Sequence, residues 1–175
     1  IVVDENTQGT DAERASGNGL SSPQAVINPQ GQIEKLYAGD LRGNMWEFNS
    51  NASGFTGSKL FAAGAGHPIT VPPLVVEHEE KRGGHLVLFG TGKFNEVADK
   101  VDKTQQAFYA IWDQSGSTDT IQRSELQAQS ITNEFTEKNE TYIETSESPV
   151  NWDAQKGWYL PCLLYTSDAA DDSLR

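Results

Sequence analysis

Lys35-Leu-Tyr-Ala-Gly-Asp-Leu-Arg-Gly-Asn-Met-Trp-Glu-Phe-Asn49 is the stretch whose reading decides the fold. Leu36 and Ala38 alternate with Lys35, Tyr37 and Gly39. Residues 40–44 then supply turn formers, and Met45 to Phe48 return as a second run with large apolar and aromatic side chains. This pattern predicts a β-hairpin, with Gly43-Asn44 able to take positive φ at the reversal. A helix competes poorly, because two glycines and an aspartate interrupt any stripe of 3.6-residue period.

The same design returns about fifty residues on. His85-Leu-Val-Leu-Phe-Gly-Thr-Gly92 copies the first strand and its closing glycine, and Phe108-Tyr-Ala-Ile-Trp-Asp113 copies the second; a polar insertion at residues 93–106 separates them. Residues 21–26 precede the first hairpin as residues 70–76 precede the second, and fifty positions separate both Pro23 from Pro73 and Ala38 from Leu88. Repeated units of short strands with glycine and aromatic punctuation predict an all-β fold, an incomplete β-propeller of about three four-stranded blades. A closed propeller needs at least four, so the 175 residues read as a fragment.

Outward from the hairpins, residues 5–19 read as a loop. Gln24 to Ile27 read as a short outer strand that tolerates Pro23 only at its start. Residues 51–57 read as a second loop before an apolar strand at residues 58–63. Residues 77–84 read as a charged hairpin tip ending in Gly83-Gly84, and residues 114–120 as a Ser/Gly/Thr loop. A third unit is expected from an outer strand at residues 125–132, its partner at residues 140–145, and an inner strand beginning Gly157-Trp-Tyr-Leu160, with Trp152 and Trp158 as buried anchors.

Several chemistries are disfavoured. The formal charge is −12, with 13 basic and 25 acidic residues, and the Lys and Arg residues form no cluster, so neither nucleic acid nor anionic lipid is expected as a partner. No apolar run reaches the roughly 18 residues of a membrane span. Ile1-Val-Val-Asp4 has no basic flank and reads as the end of a strand rather than a signal peptide. His67 precedes a proline in a turn, His78 stands among glutamates and His85 opens a strand. That spacing matches no zinc motif, and no Ser or Cys sits in a nucleophile elbow. Gly90-Thr-Gly92-Lys93 lacks the upstream glycine of a phosphate loop and has Phe94 where a hydroxyl should meet magnesium.

One candidate metal site remains. Residues 28–34 have the spacing of an EF-hand-like calcium loop, with Asn28, Gln30 and Glu34 as oxygen donors around Gly31. Val26 takes what would be the first ligand position and Glu34 brings the single charge, so a degenerate site without useful affinity is expected; a plain turn is the competing reading.

The chain resembles the C-terminal propeller domain of the PilC/PilY family of type IV pilus assembly and tip proteins. The segments that carry the resemblance are Asn18-Gly-Leu-Ser-Ser-Pro23, Tyr37-Ala-Gly-Asp-Leu-Arg-Gly-Asn-Met-Trp-Glu-Phe48, Pro68-Ile-Thr70 with Pro72, Leu88-Phe-Gly-Thr-Gly-Lys93, Gln106-Ala-Phe-Tyr-Ala-Ile-Trp-Asp113 and Gly157-Trp-Tyr-Leu160. They occur in the family's order and cover most of residues 17–161. The resemblance implies a modified propeller, similar in shape to quinoprotein dehydrogenases but without their cofactor. It implies an extracytoplasmic protein at the pilus tip or outer cell surface. Its expected roles are pilus biogenesis, adhesion and twitching motility, and its expected partners are pilus or minor pilin proteins and a surface or host receptor. Family members often carry an aspartate-rich calcium loop before the Tyr-Ala-Gly-Asp strand. Matched position by position, this chain has Val26, Asn28, Gln30 and Glu34 there, which puts calcium control in doubt.

Residues 1–161 are therefore read as a partial propeller domain. Residues 162–175, which contain the single cysteine, look like one reading frame of a transposase sequencing adapter; the expectation is a non-native tail from a metagenomic read, against a natural polar tail. Two functional classes stay open: a non-enzymatic pilus-assembly and adhesion module presenting residues 93–106 and 114–120 to a partner, and a quinoprotein-like oxidoreductase suggested by blade geometry alone.

Overall fold

The computed structural model describes residues 18–78, 82–114, 116–117 and 119–162. The expectations for residues 1–4, for most of the 5–19 loop and for the tail from residue 163 lie outside them. Strands β1 (Gln24–Ile27), β2 (Ile33–Gly39), β3 (Asn44–Asn51) and β4 (Gly54–Ala62) form an antiparallel meander. Strands β5 (Leu74–Glu77), β6 (His85–Gly90) and β7 (Ala107–Asp113) begin a second one. Both expected inner hairpins are present: Gly39 faces Met45, and Gly90 faces Phe108. The expected loop at residues 51–57 is a tight turn at Ala52-Ser53 instead. Asn51 closes it through Oδ1, which accepts from the Ser53 N–H (2.8 Å), and Nδ2, which donates to Thr56 Oγ1 (2.7 Å).

The rest of the chain completes these two sheets and adds a third. The short strands β8 (Ile121–Gln122) and β9 (Gln127–Ala128) flank a 3₁₀ turn at Arg123–Glu125. They are followed by β10 (Ile131–Glu137), β11 (Glu140–Thr145) and β12 (Gly157–Pro161). The sheets run β1-β2-β3-β4-β8, β5-β6-β7-β12-β9 and β10-β11. The third unit therefore differs from the expectation: it is a two-stranded hairpin. Gly157 to Leu160 belong to the second blade, where β12 pairs antiparallel with β7 from Gly157 opposite Ile111 to Pro161 opposite Ala107. Once β6 occupies one edge of β7, the other edge is the nearest row of unpaired backbone groups, and Trp158 and Tyr159 bring rings onto Phe108 and Tyr109. Pairing continues one residue into the suspected tail, since the Cys162 N–H donates to Gln106 O at 2.8 Å. The outer strand expected at residues 125–132 is likewise broken up, because Leu126 turns into the core.

The repeat is displaced by one residue between outer and inner strands. Gln24 pairs with Tyr37, whereas Leu74, fifty positions later, pairs with Leu88, fifty-one after Tyr37. Ala38 thus corresponds to Phe89 rather than Leu88. Because strand side chains alternate, a one-residue slip exchanges the two faces. The main core lies between the sheets: Tyr37, Met45, Leu60, Phe61 and Ile69 pack against Val87, Phe89, Ala107, Tyr109 and Ile111. Phe61 is the hub, 4.9 Å from the Tyr109 ring and 5.8 Å from that of Phe89. Each such enclosed side chain contributes on the order of 2 kcal/mol. Ala38, Trp46 and Phe48 form a smaller cluster on the opposite face of the first sheet. The segment from Ile121 to Ala128 stitches the two blades, pairing in parallel with β4 at Phe61 and with β12 at Trp158.

Candidate functional site

The signature segment Tyr37-Ala-Gly-Asp-Leu-Arg-Gly-Asn-Met-Trp46 folds around one carboxylate. Asp40 is fully buried at the end of β2. Its Oδ1 accepts from the Arg42 and Asn44 N–H groups at 2.9 Å each, and its Oδ2 from Trp46 Nε1 at 2.8 Å, Asn44 Nδ2 at 3.0 Å and Asn18 Nδ2 at 3.4 Å. Its carbonyl accepts from Ile69 N at 2.8 Å, tying the hairpin to the link between blades. A buried charge persists only when donors replace its water shell, and here every donor is neutral and held in place by the hairpin. Gly43 has φ +82°, and a Cβ there would lie 2.5 Å from Gly64 O; one on Gly39 would lie 2.1 Å from Ile69 Cγ2. The residues most suggestive of chemistry thus build the turn.

The candidate calcium loop is the β1–β2 turn. Asn28 Oδ1 accepts from the N–H groups of Gln30 (3.1 Å) and Gln32 (2.9 Å), its Nδ2 donates to Gln32 Oε1 (3.3 Å), and its carbonyl accepts from Gly31 N (2.9 Å). Gly31 completes the reversal at φ +78°. Val26 pairs with Lys35 inside the β1–β2 ladder, and Glu34 is an exposed residue of β2. Asn28 and Gln30 therefore share one turn with Glu34 in the strand that follows. The Asn28 oxygen that would face a cation already accepts two backbone hydrogens. A hard divalent cation requires several anionic oxygens, so this donor set does not fit calcium.

A charged cluster that sequence reading missed joins the blades. Lys35 Nζ lies 2.9 Å from Glu47 Oε2 and bonds Asp113 Oδ2, which also accepts from the Tyr37 hydroxyl; Ser58 Oγ donates to Glu47 Oε1 at 2.9 Å. Glu47 and Asp113 are buried. Burial alone would lower the Lys35 pKa, but hydrogen bonds to Asp113 and then Glu47 outweigh it and hold the ammonium above its usual range. Burial first, and the Asp113 charge second, push the Tyr37 hydroxyl far upward. Lys35 and Asp113 are 78 positions apart, so no local pattern announces the pair. Beside them opens a cleft lined by Glu47, Lys59, Trp112, Asp113, Asp119 and Lys156. The Lys35, Tyr37, Glu47 and Asp113 groups hold one another, which makes the cluster a cross-link between sheets.

The insertion at residues 93–106 is ordered. Asp99 accepts from the N–H groups of Asn95 (2.8 Å) and Glu96 (2.9 Å) and pairs with Lys93 Nζ at 3.2 Å, around a 3₁₀ turn at Val97–Val101. The Glu96 amide, then that of Asn95 and the Lys93 ammonium, hold the Asp99 carboxyl below its ordinary range, against the opposing effect of burial. Gln106 Nε2 fastens the insertion to Gly66 O at 3.0 Å. The sequence reads as polar, yet the loop turns Phe94 (73% exposed), Val97 (83%) and Val101 (76%) to solvent. Among the histidines, His78 is buried between Trp112 and Trp152, with ring centroids 5.0 and 4.4 Å away, and His85 lies edge-on to Tyr37 at 6.4 Å.

Comparison with known proteins places this geometry. The family profile described as the PilY1 beta-propeller domain matches residues 49–146, beginning within β3 of the first hairpin. The type IV pilus biogenesis factor PilY1 of Pseudomonas aeruginosa is 35% identical over 193 aligned positions, covering 84% of this chain and 16% of that protein. A type IV pilus biogenesis factor PilY1 homolog of Xylella fastidiosa is 28% identical over 180 positions, covering 91% of this chain and 12% of that protein. The crystal structure of the Pseudomonas aeruginosa PilY1 C-terminal domain superposes with a TM-score of 0.73 at 34% identity, over 85% of this chain and 40% of that one. The chain thus spans about one sixth of the Pseudomonas relative it matches.

Proposed function

This chain belongs to the PilY1 β-propeller family, and from that membership we propose that it is a non-enzymatic module of type IV pilus biogenesis. The observation that carries the reading is the joint agreement of sequence and fold with the PilY1 C-terminal domain along 85% of the chain. It is supported by how the polar residues are used: Asp40 builds a turn, while Lys35, Glu47 and Asp113 lock blade to blade. Residues 93–106 are a hydrogen-bonded loop that exposes Phe94, Val97 and Val101 among polar residues, a surface suited to a protein partner.

The finer reading is an extracytoplasmic protein at the pilus tip or outer cell surface that works with pilus or minor pilin proteins and a surface or host receptor, in adhesion and twitching motility. Replacing the matching segment of the Pseudomonas aeruginosa protein by residues 18–162 tests it. The chimera should restore surface pili, counted by electron microscopy, and the twitching zone. A chimera present at normal amounts on cells that stay bald would refute the reading. The same proposal holds that the segment carries no quinone and no calcium at residues 28–34. Tight quinone binding with alcohol oxidation, or a micromolar calcium dissociation constant by calorimetry, would overturn those two points.

A further inference from the structure

The β10–β11 hairpin stands apart from both blades. All of its strand residues except Ile131 are exposed, and among the described strands these two pair with each other alone. An isolated two-stranded ribbon is marginal in water, so its order needs local causes. The turn residues Lys138 and Asn139 both take positive φ, +53° and +64°, the geometry that matches strand twist in a two-residue hairpin. A polar clasp closes the base, where Ser146 N donates to Ser130 O (2.8 Å), Ser146 Oγ to Gln129 Oε1 (2.7 Å) and Gln129 Nε2 to Ser148 O (2.7 Å), and Gln129 N ties it to the second blade at Tyr159 O (2.8 Å).

Its two faces differ. Opposed residues share a face and successive pairs alternate, so Asn133 with Glu144, Phe135 with Tyr142, and Glu137 with Glu140 lie on one side. Phe135 and Tyr142 stack at 5.4 Å and 15°, and both remain exposed. Glu144 flanks the stack on one side and the Glu137–Glu140 pair on the other. Like charges directly across a ladder destabilise it, and Tyr142 Oη, donating to Glu140 Oε2 at 2.8 Å, leaves Glu137 facing that second carboxylate. An aromatic platform bounded by carboxylates is complementary to a flat cation: guanidinium stacks on the ring face while its N–H groups reach the acids.

We propose that this face docks a basic, extended segment of a partner protein, with an arginine on the Phe135–Tyr142 stack and neighbouring cations on Glu137, Glu140 and Glu144. A second copy of the chain is a poorer occupant, because it would bring the same glutamates against themselves. The proposal does not depend on the pilus reading, since it follows from the hairpin alone.

The probe is a labelled ten-residue peptide alternating arginine and threonine, titrated into the full chain and read by fluorescence anisotropy. An acidic chain attracts any polycation, so local and global charge must be separated. Neutralising the face with Glu137→Gln, Glu140→Gln and Glu144→Gln should weaken binding roughly tenfold, each exposed pair being worth a factor of about two. Neutralising three acids elsewhere, Glu34→Gln, Glu77→Gln and Asp119→Asn, should change it little. The charge-conserving Phe135→Thr with Tyr142→Thr keeps β propensity and should abolish the preference for arginine over the lysine analogue, about threefold. Absent binding, equal weakening by both triple variants, an unaltered preference in the threonine variant, or dimerisation through the hairpin in sedimentation would each overturn the proposal.

Discussion

Replacing Asp40 by asparagine, ordinarily a mild change, should be nearly as damaging as replacing it by alanine. The carboxylate accepts on both oxygens: at Oδ1 from Arg42 N and Asn44 N, and at Oδ2 from Trp46 Nε1 at 2.8 Å and Asn44 Nδ2 at 3.0 Å. An asparagine amide must present an NH₂ to one of these sets whichever way it is flipped, so donors meet donors in a site closed to water. Losing two charge-assisted bonds and leaving buried donors unmatched costs roughly 3–5 kcal/mol. For a chain of this size that lowers the thermal midpoint by about 10 °C. Trp46→Phe removes one donor and keeps the ring, and should cost only about 1 kcal/mol. Circular dichroism and tryptophan fluorescence melts of the four proteins measure the series. An Asp40→Asn midpoint within a degree or two of the parent would refute the account of the turn as an acceptor-only knot.

Four further outcomes are expected. Above neutral pH, stability should be level up to about pH 10 and fall beyond it, because Lys35 and Tyr37 both hold their protons more tightly folded than their ordinary values of 10.5 and 10.0; urea midpoints should show a shallower alkaline slope in Lys35→Met with Tyr37→Phe. Lys35→Met alone should also destabilise at neutral pH by roughly 3 kcal/mol, since Glu47 and Asp113 would stay buried without their cation. Gly157→Ala should cost more than about 2 kcal/mol and expose the amides of Trp158 to Leu160 to hydrogen exchange, because φ is +138° and the new Cβ would lie 2.0 Å from Ala110 O. Truncation after residue 162 should leave the thermal midpoint unchanged; a drop would show that residues 163–175 are part of the folded domain.

What the sequence determined by itself is what local periodicity can encode. The alternation in Leu36 to Ala38 and Met45 to Phe48, broken by Asp40 and Gly43, specifies a hairpin, and its recurrence at His85 to Gly92 and Phe108 to Asp113 specifies stacked copies. The partnership of β12 with β7 was not legible, because any strand pattern reads alike and which edge is free depends on the whole sheet. The one-residue displacement of the repeat turns on a single insertion between outer and inner strands, which composition cannot register yet which exchanges the two faces of a strand. The joining of Lys35 to Asp113 and the isolation of the 131–145 hairpin belong to the tertiary structure for the same reason. Charge pairing and solvent exposure are properties of neighbours in space, and backbone periodicity carries no record of residues 78 positions away.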